Sequence, residues 1–156
     1  MTVVREATPV DREWIGKLLR ERWHDTLITA HGELIDALEL PALVVDDRRG
    51  LATWRRVGSD AELMTFDAVP TGCGTGTALI EALAARLRAQ GCARLCLTTT
   101  NDNLSALRFY MRRGFRLVAL RPGAIDEARK RKPSISLVGQ YGIPIHDELE
   151  LCLALD

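Results

Sequence analysis

The chain has 156 residues, room for one ordinary domain and short of two, and a chain of this size buries roughly two thirds of its unfolded surface, enough for a core without disulfide or metal staples. Lys plus Arg and Asp plus Glu both number 21, so no global positive field draws it to nucleic acid or to an anionic membrane. Cys73, Cys92, Cys96 and Cys152 form no CxxC pair and only three histidines accompany them, which argues against a zinc site and for buried reduced thiols; with no basic leader and no run of about 18 apolar residues, a cytoplasmic protein is expected.

Thr8-Pro9 followed by Trp14, Ile15, Leu18 and Leu19 predicts a capped helix running to about Arg22. Leu34, Ile35 and Leu38 suggest a second short helix before Pro41. Residues 42–45 and 51–57 are apolar runs joined by Asp46-Asp47-Arg48-Arg49-Gly50, a strand hairpin, and 63–69 form a further strand. That strand leads into Gly72-Cys73-Gly74-Thr75-Gly76, the densest glycine cluster of the chain. Leu79, Leu83 and Leu87 then recur every fourth residue, with Ile80 and Ala84 widening the stripe, until Gly91 stops an amphipathic helix. Residues 95–99 are the next strand, and Asn101-Asp102-Asn103 opens a helix whose last turn carries Arg112-Arg113 and whose stop is Gly114. Residues 115–120 resume as strand, and 148–155 alternate Leu149, Leu151, Leu153 and Leu155 with Glu148, Glu150, Cys152 and Ala154, the period of a half-buried strand. The order is mixed α/β around one sheet, in a single domain spanning 1–156. Between 121 and 147 the only candidate element is a short helix at 124–130, followed by Pro133, Gly139, Gly142 and Pro144. Connections this long commonly serve as lids, and Ile135, Leu137, Val138, Ile143 and Ile145 argue that this one docks.

A strand, a glycine turn and a helix together aim backbone N–H groups and a helix dipole at an anion, with glycine letting the backbone approach a phosphate closely. A Walker loop fails because Gly76 is followed by Thr77-Ala78 with no lysine. A dinucleotide fingerprint fails because it needs glycine at Thr77 or Leu79, and an acid where Arg94-Leu95-Cys96-Leu97-Thr98 stands. Alone, the glycines make a tight turn.

A second pattern follows: Asn103, Ala106, Tyr110 and Gly114-Phe115 stand at intervals of three, four and four. With the glycine loop, this resembles the Gcn5-related N-acetyltransferase superfamily, in which Gly-x-Gly/Ala ends the pyrophosphate loop and Asn-x-x-Ala-x-x-x-Tyr-x-x-x-Gly-Phe lies on the following helix. The resemblance runs from about residue 63 to 120 and implies the acyl-CoA N-acyltransferase fold: a mixed, mostly antiparallel sheet with a V-shaped split between two parallel strands, flanked by helices, with 121–147 as an insertion. It departs from the family pattern at Thr71 and Cys73, where basic residues usually meet the phosphates. Each charge-assisted hydrogen bond contributes roughly 1.5 to 3 kcal/mol, so weaker cofactor binding is implied unless Arg108 or Arg112 compensates.

The resemblance implies acetyl-CoA as cosubstrate and no metal, with Phe66 and Ala68 holding the pantetheine and thioester, Gly72, Cys73, Gly74, Thr75, Gly76 and Thr77 the pyrophosphate, and Asn103 the pantetheine arm. An acceptor amine attacks the thioester and Tyr110, at the family's general-acid position, protonates the departing thiolate; a phenol of pKa ~10 is protonated at neutral pH. The alternative for Tyr110 is a core aromatic against Leu107 and Phe115. The carboxylate many relatives carry is replaced by Thr98. Glu62, which shares strand parity with Met64 and Phe66, is the candidate base, with Asp67 of opposite parity a weaker one. Trp23, with His24 and His31 beside it, falls where the family walls the acceptor pocket, and Glu127 and Tyr141 of the insertion are further acceptor contacts; Asp126 and Glu148 can also reach an amine. The run Arg129-Lys130-Arg131-Lys132 reads as a solvated face. The implied activity is acetyl transfer to a primary amine of unassigned identity, with a homodimer possible and neither nucleic acid nor membrane as partner. The alternative is an acyl-CoA-binding sensor that transfers nothing.

Overall fold

Residues 2–30, 33–68 and 74–156 are described by a computed structural model, in which the chain divides into two units, Met1–Ala93 and Arg94–Asp156. The first runs β1 (Val4–Glu6), α1 (Arg12–Trp23), β2 (Leu27–Ala30), β3 (Glu33–Asp36), β4 (Ala42–Val45), β5 (Gly50–Val57), β6 (Asp60–Ala68) and α2 (Thr75–Ala89). Strands β1, β4, β5 and β6 lie side by side in that order, each antiparallel to the next. One sheet face is covered by α2, whose Leu79, Leu83 and Leu87 are fully buried on β4, β5 and β6. On the other, Ile15 and Leu19 of α1 and Ile28 of β2 pack with Val44 and Leu51.

The start of α1 explains its stability. A 3-10 turn, Pro9–Asp11, precedes it, and Asp11 accepts hydrogen bonds from Thr8 N at 2.8 Å, from Trp14 Nε1 at 2.9 Å and from both Arg5 Nη atoms at 2.7 and 2.9 Å. The Arg5 guanidinium holds this buried carboxyl far below the usual carboxylate range.

One expectation is corrected here, and one element is added. The short helix foreseen around Leu34, Ile35 and Leu38 is the antiparallel hairpin β2–β3, with Ile28 opposite Ile35, followed by a 3-10 turn at Ala37–Glu39 that Asp36 caps through Leu38 N. Strand β1 had no periodic signal; it is ordered by pairing with β4.

The second unit runs β7 (Arg94–Thr100), α3 (Leu104–Met111), β8 (Arg116–Arg121), α4 (Ala124–Arg131) and β9 (Glu148–Ala154). Strand β9 lies between β7 and β8, antiparallel to both. That register sets Cys96 opposite Cys152, and the structure joins them in a disulfide; Cys92 is a free buried thiol. The expectation of reduced thiols is therefore corrected for this pair, because the pairing across 56 residues of chain could not be read from spacing. The architecture is mixed α/β, with mostly antiparallel strands flanked by helices. Among the described residues no helix is long and apolar enough to cross a membrane.

Candidate active site

In the first unit β6 ends at Phe66, Asp67 and Ala68, and α2 opens on Gly74. Gly74 is the N-cap, at φ 79°, a left-handed conformation that disfavours a Cβ, and its carbonyl accepts from Ala78 N at 3.0 Å. Thr75 and Gly76 are buried in the first turn with Thr77 beside them. The first amides of any helix lie outside its own hydrogen-bond ladder and carry the positive end of the dipole, so this start fits an anionic group such as a pyrophosphate. A Cβ built on Gly74 meets nothing within 4 Å, so the glycine serves backbone conformation and open approach rather than internal packing. Gly72 and Cys73, with Thr71, lie outside the described residues.

Glu62 and Phe66 do not share a face. Thr53 stands opposite Thr65 and Trp54 opposite Leu63, so Met64 is an extra residue in β6 and the alternation reverses there. Glu62 instead stands opposite Arg55, 3.8 Å from its guanidinium, which also binds Glu33 of β3 at 2.8 Å. It lies six residues before Ala68, about 20 Å along the strand. The carboxylate at the Ala68 end is Asp67, paired with Leu51 on the α1-facing side of the sheet. Trp23, the last residue of α1, donates its indole N–H to Asp67 Oδ2 at 3.2 Å. Desolvation pushes the Asp67 carboxyl up, opposed by the indole hydrogen bond and the nearby Arg22.

In the second unit Asn103 is the N-cap of α3: Oδ1 accepts from Ala106 N and Nδ2 donates to Thr99 Oγ1, both at 3.2 Å. Tyr110 is buried two turns later, edge-on to Phe109 at 5.1 Å and to Phe115 at 5.2 Å between ring centroids. The core-aromatic packing and the motif position are thus properties of the same side chain.

The 121–147 segment is built around Arg129, which donates to the carbonyls of Ile135, Ser136 and Ile145 and pairs with Asp126 at 2.9 Å. This corrects the solvated-face reading for that arginine, whose stem and head are turned into the segment. Asp126 also meets His146 Nδ1 at 2.9 Å, and that contact draws its carboxyl down. Glu127 is exposed and paired with Lys130 at 2.9 Å. Tyr141 is 76% exposed and sits at φ 56° in a 3-10 turn, Gln140–Gly142. Glu148 and Glu150 both bind Arg121 at 2.7 Å, raising its pKa further. The Sγ atoms of Cys96 and Cys152 and a Glu150 carboxylate oxygen lie within 4.8 Å of one another.

Sequence reasoning passed over Asn101 and Asp102 except as turn formers, yet both bind the 121–147 segment. Asn101 Oδ1 accepts from His146 N and Asp147 N at 2.9 and 3.0 Å, and its Nδ2 donates to Pro144 O at 2.9 Å. Buried Asp102 accepts from Thr100 Oγ1 and, at 3.1 Å, from Gln140 N. The only signal for this was the unusual Asn-Asp-Asn triplet.

Residues 68–115 match the model of the acetyltransferase (GNAT) family. The uncharacterized Bacillus subtilis (strain 168) protein YxbD is 34% identical over 146 residues, covering 91% of this chain and 92% of that protein. Among solved structures, an IAA acetyltransferase from Bacillus cereus ATCC 14579 superposes with a TM-score of 0.71 at 15% identity, covering 99% of both chains. The Salmonella typhimurium putative acetyltransferase yncA, solved with its cofactor acetyl-CoA, gives a TM-score of 0.69 at 18% identity over 100% of this chain and 95% of that one. The glycine-opened α2, the Asn103–Tyr110 helix and these similarities together establish that the chain belongs to the GNAT acetyltransferase family.

Proposed function

We propose that residues 1–156 act as one acetyl-CoA-dependent N-acetyltransferase domain that transfers the acetyl group directly to a primary amine. The observation that carries this reading is the junction of β6 and α2, where a left-handed Gly74 opens a helix whose first turn, Thr75 to Thr77, would receive the pyrophosphate. Phe66 and Ala68 would hold the pantetheine and thioester through their backbone, and Asn103 the pantetheine arm, with its Nδ2 exchanging Thr99 for the cofactor. Bound acetyl-CoA supplies an activated acetyl thioester.

Tyr110 serves as the proton donor to the leaving thiolate, held in orientation by Phe109 and Phe115. Asp67 takes the place first assigned to Glu62: it stands at the Ala68 end of β6, against Trp23 in the region expected to wall the acceptor, and its raised pKa brings it closer to that of a useful base. Trp23, Glu127 and Tyr141 contact the acceptor. The decisive assay is thiol release from acetyl-CoA with a set of primary amines. Amine-dependent release supports the transferase. Acetyl-CoA binding without release with any amine supports the sensor reading, which the uncharged Thr71 and Cys73 favour.

A further inference from the structure

The 121–147 segment is fastened to the chain immediately before Asn103, and the fastening is buried. Asp102 is 6% exposed. Its Oδ1 accepts from Thr100 Oγ1 and its Oδ2 from Gln140 N, so both oxygens are engaged. A buried carboxylate is tolerated only when hydrogen bonded in this way. Gly139 approaches so closely that a Cβ there would overlap the Asp102 carboxylate. Gln140 continues the contact, its Oε1 accepting from Ser105 N in the first turn of α3 at 3.4 Å. Asn101 secures the far end of the segment through Pro144, His146 and Asp147.

What this clasp holds in place is apolar and outward facing. Tyr141 follows Gln140 directly, 76% exposed and in the left-handed region, a conformation that L side chains rarely adopt. Leu137 and Val138, 67% and 52% exposed, precede Gly139, and the Val138–Pro144 bridge and the Gly139 N to Ile143 O bond at 2.9 Å close the turn. Large exposed apolar side chains on a braced turn beside the start of the Asn103 helix are suited to contacting a ligand rather than to folding.

We propose that Asp102 is a positioning residue for acceptor selection: by holding the Gly139–Gln140 turn on the first turn of α3 it presents the Tyr141 ring to the apolar or aromatic portion of an amine acceptor. The inference rests on the transferase reading above and adds to it the acceptor's chemical class. Asp102 touches neither cofactor nor acceptor; it acts through Tyr141.

The test is steady-state kinetics of the full chain with phenylethylamine, ethanolamine and spermidine as probes. The wild type is expected to prefer phenylethylamine by kcat/KM. Tyr141→Ala should raise the KM for phenylethylamine at least tenfold, leave that for ethanolamine within about twofold, and leave the KM for acetyl-CoA unchanged. Asp102→Ala, which removes both acceptors, should reproduce this pattern, and the Asp102→Ala/Tyr141→Ala pair should be no worse than Tyr141→Ala alone, the mark of two residues acting as one unit. Additive effects, or equal losses for all three amines and for acetyl-CoA, overturn the positioning role. Because Tyr141 is exposed, its variant folds irrespective of the clasp, and an unchanged phenylethylamine KM in that variant overturns the inference by itself. Transfer to spermidine or ethanolamine but not to phenylethylamine overturns the acceptor class while leaving the transferase standing; release of no thiol with any of the three overturns both.

Discussion

At the scale of single residues, the proposed mechanism assigns the proton given to the thiolate to Tyr110 and the base to Asp67. Tyr110→Phe keeps the ring that packs on Phe109 and Phe115, so the fold and acetyl-CoA binding should be preserved while turnover at neutral pH falls roughly 10²-fold or more. Parallel kinetics and calorimetry check this, and unchanged turnover removes the phenol from its role. Asp67 carries a sign that can be tested. Desolvation raises its folded pKa above the unfolded value of about 4, so its contribution to stability is fully present below that value and is lost as pH rises through the folded pKa. Ionising Asp67 in the folded chain therefore costs stability. Asp67→Asn is expected to keep or raise Tm while cutting kcat/KM by about 10² and abolishing the acid limb of the pH–rate profile. Thermal melts and pH–rate profiles decide it; an acid limb that survives the substitution shows that another group is the base.

At the scale of elements, α2 and the hairpin β2–β3 show what could be read and what could not. The stripe Leu79, Leu83, Leu87 is local, and the three leucines are indeed the fully buried face of α2. Leu83→Ala should cost about 3 kcal/mol in a denaturant titration, as expected for a leucine with no exposed surface, and a loss under 1 kcal/mol would show that the site collapses around the cavity. The α3 cap and its stop were legible for the same reason, since Asn103 bonds to Ala106 within one turn. The hairpin was not, because Leu34, Ile35 and Leu38 satisfy a short helical window, whereas the choice of strand rests on Ile35 meeting Ile28 across the turn. Glu62 failed through an element-scale irregularity: one extra residue, Met64, reverses the parity on which its placement beside Phe66 depended. The Asp102 clasp and the Cys96–Cys152 bridge join positions separated by 38 and 56 residues, and no local pattern reports such pairings.

At the scale of the whole molecule, the account depends on the anion site at the start of α2 belonging to coenzyme A. The family, the order of elements from β4 onward and the Asn103-to-Phe115 motif were readable from the sequence because those stretches are governed by local spacing within single elements and their flanks. The proposed acceptor contacts were not, since Trp23 ends α1 and Glu127 and Tyr141 belong to the 121–147 segment, stretches that carry no shared motif. Isothermal titration calorimetry with acetyl-CoA and with coenzyme A tests the central claim most directly. Saturable binding of both ligands, weakened about tenfold or more by Gly74→Val, which places a branched Cβ at a left-handed N-cap, is the result expected. No heat with either ligand at millimolar concentration would contradict it.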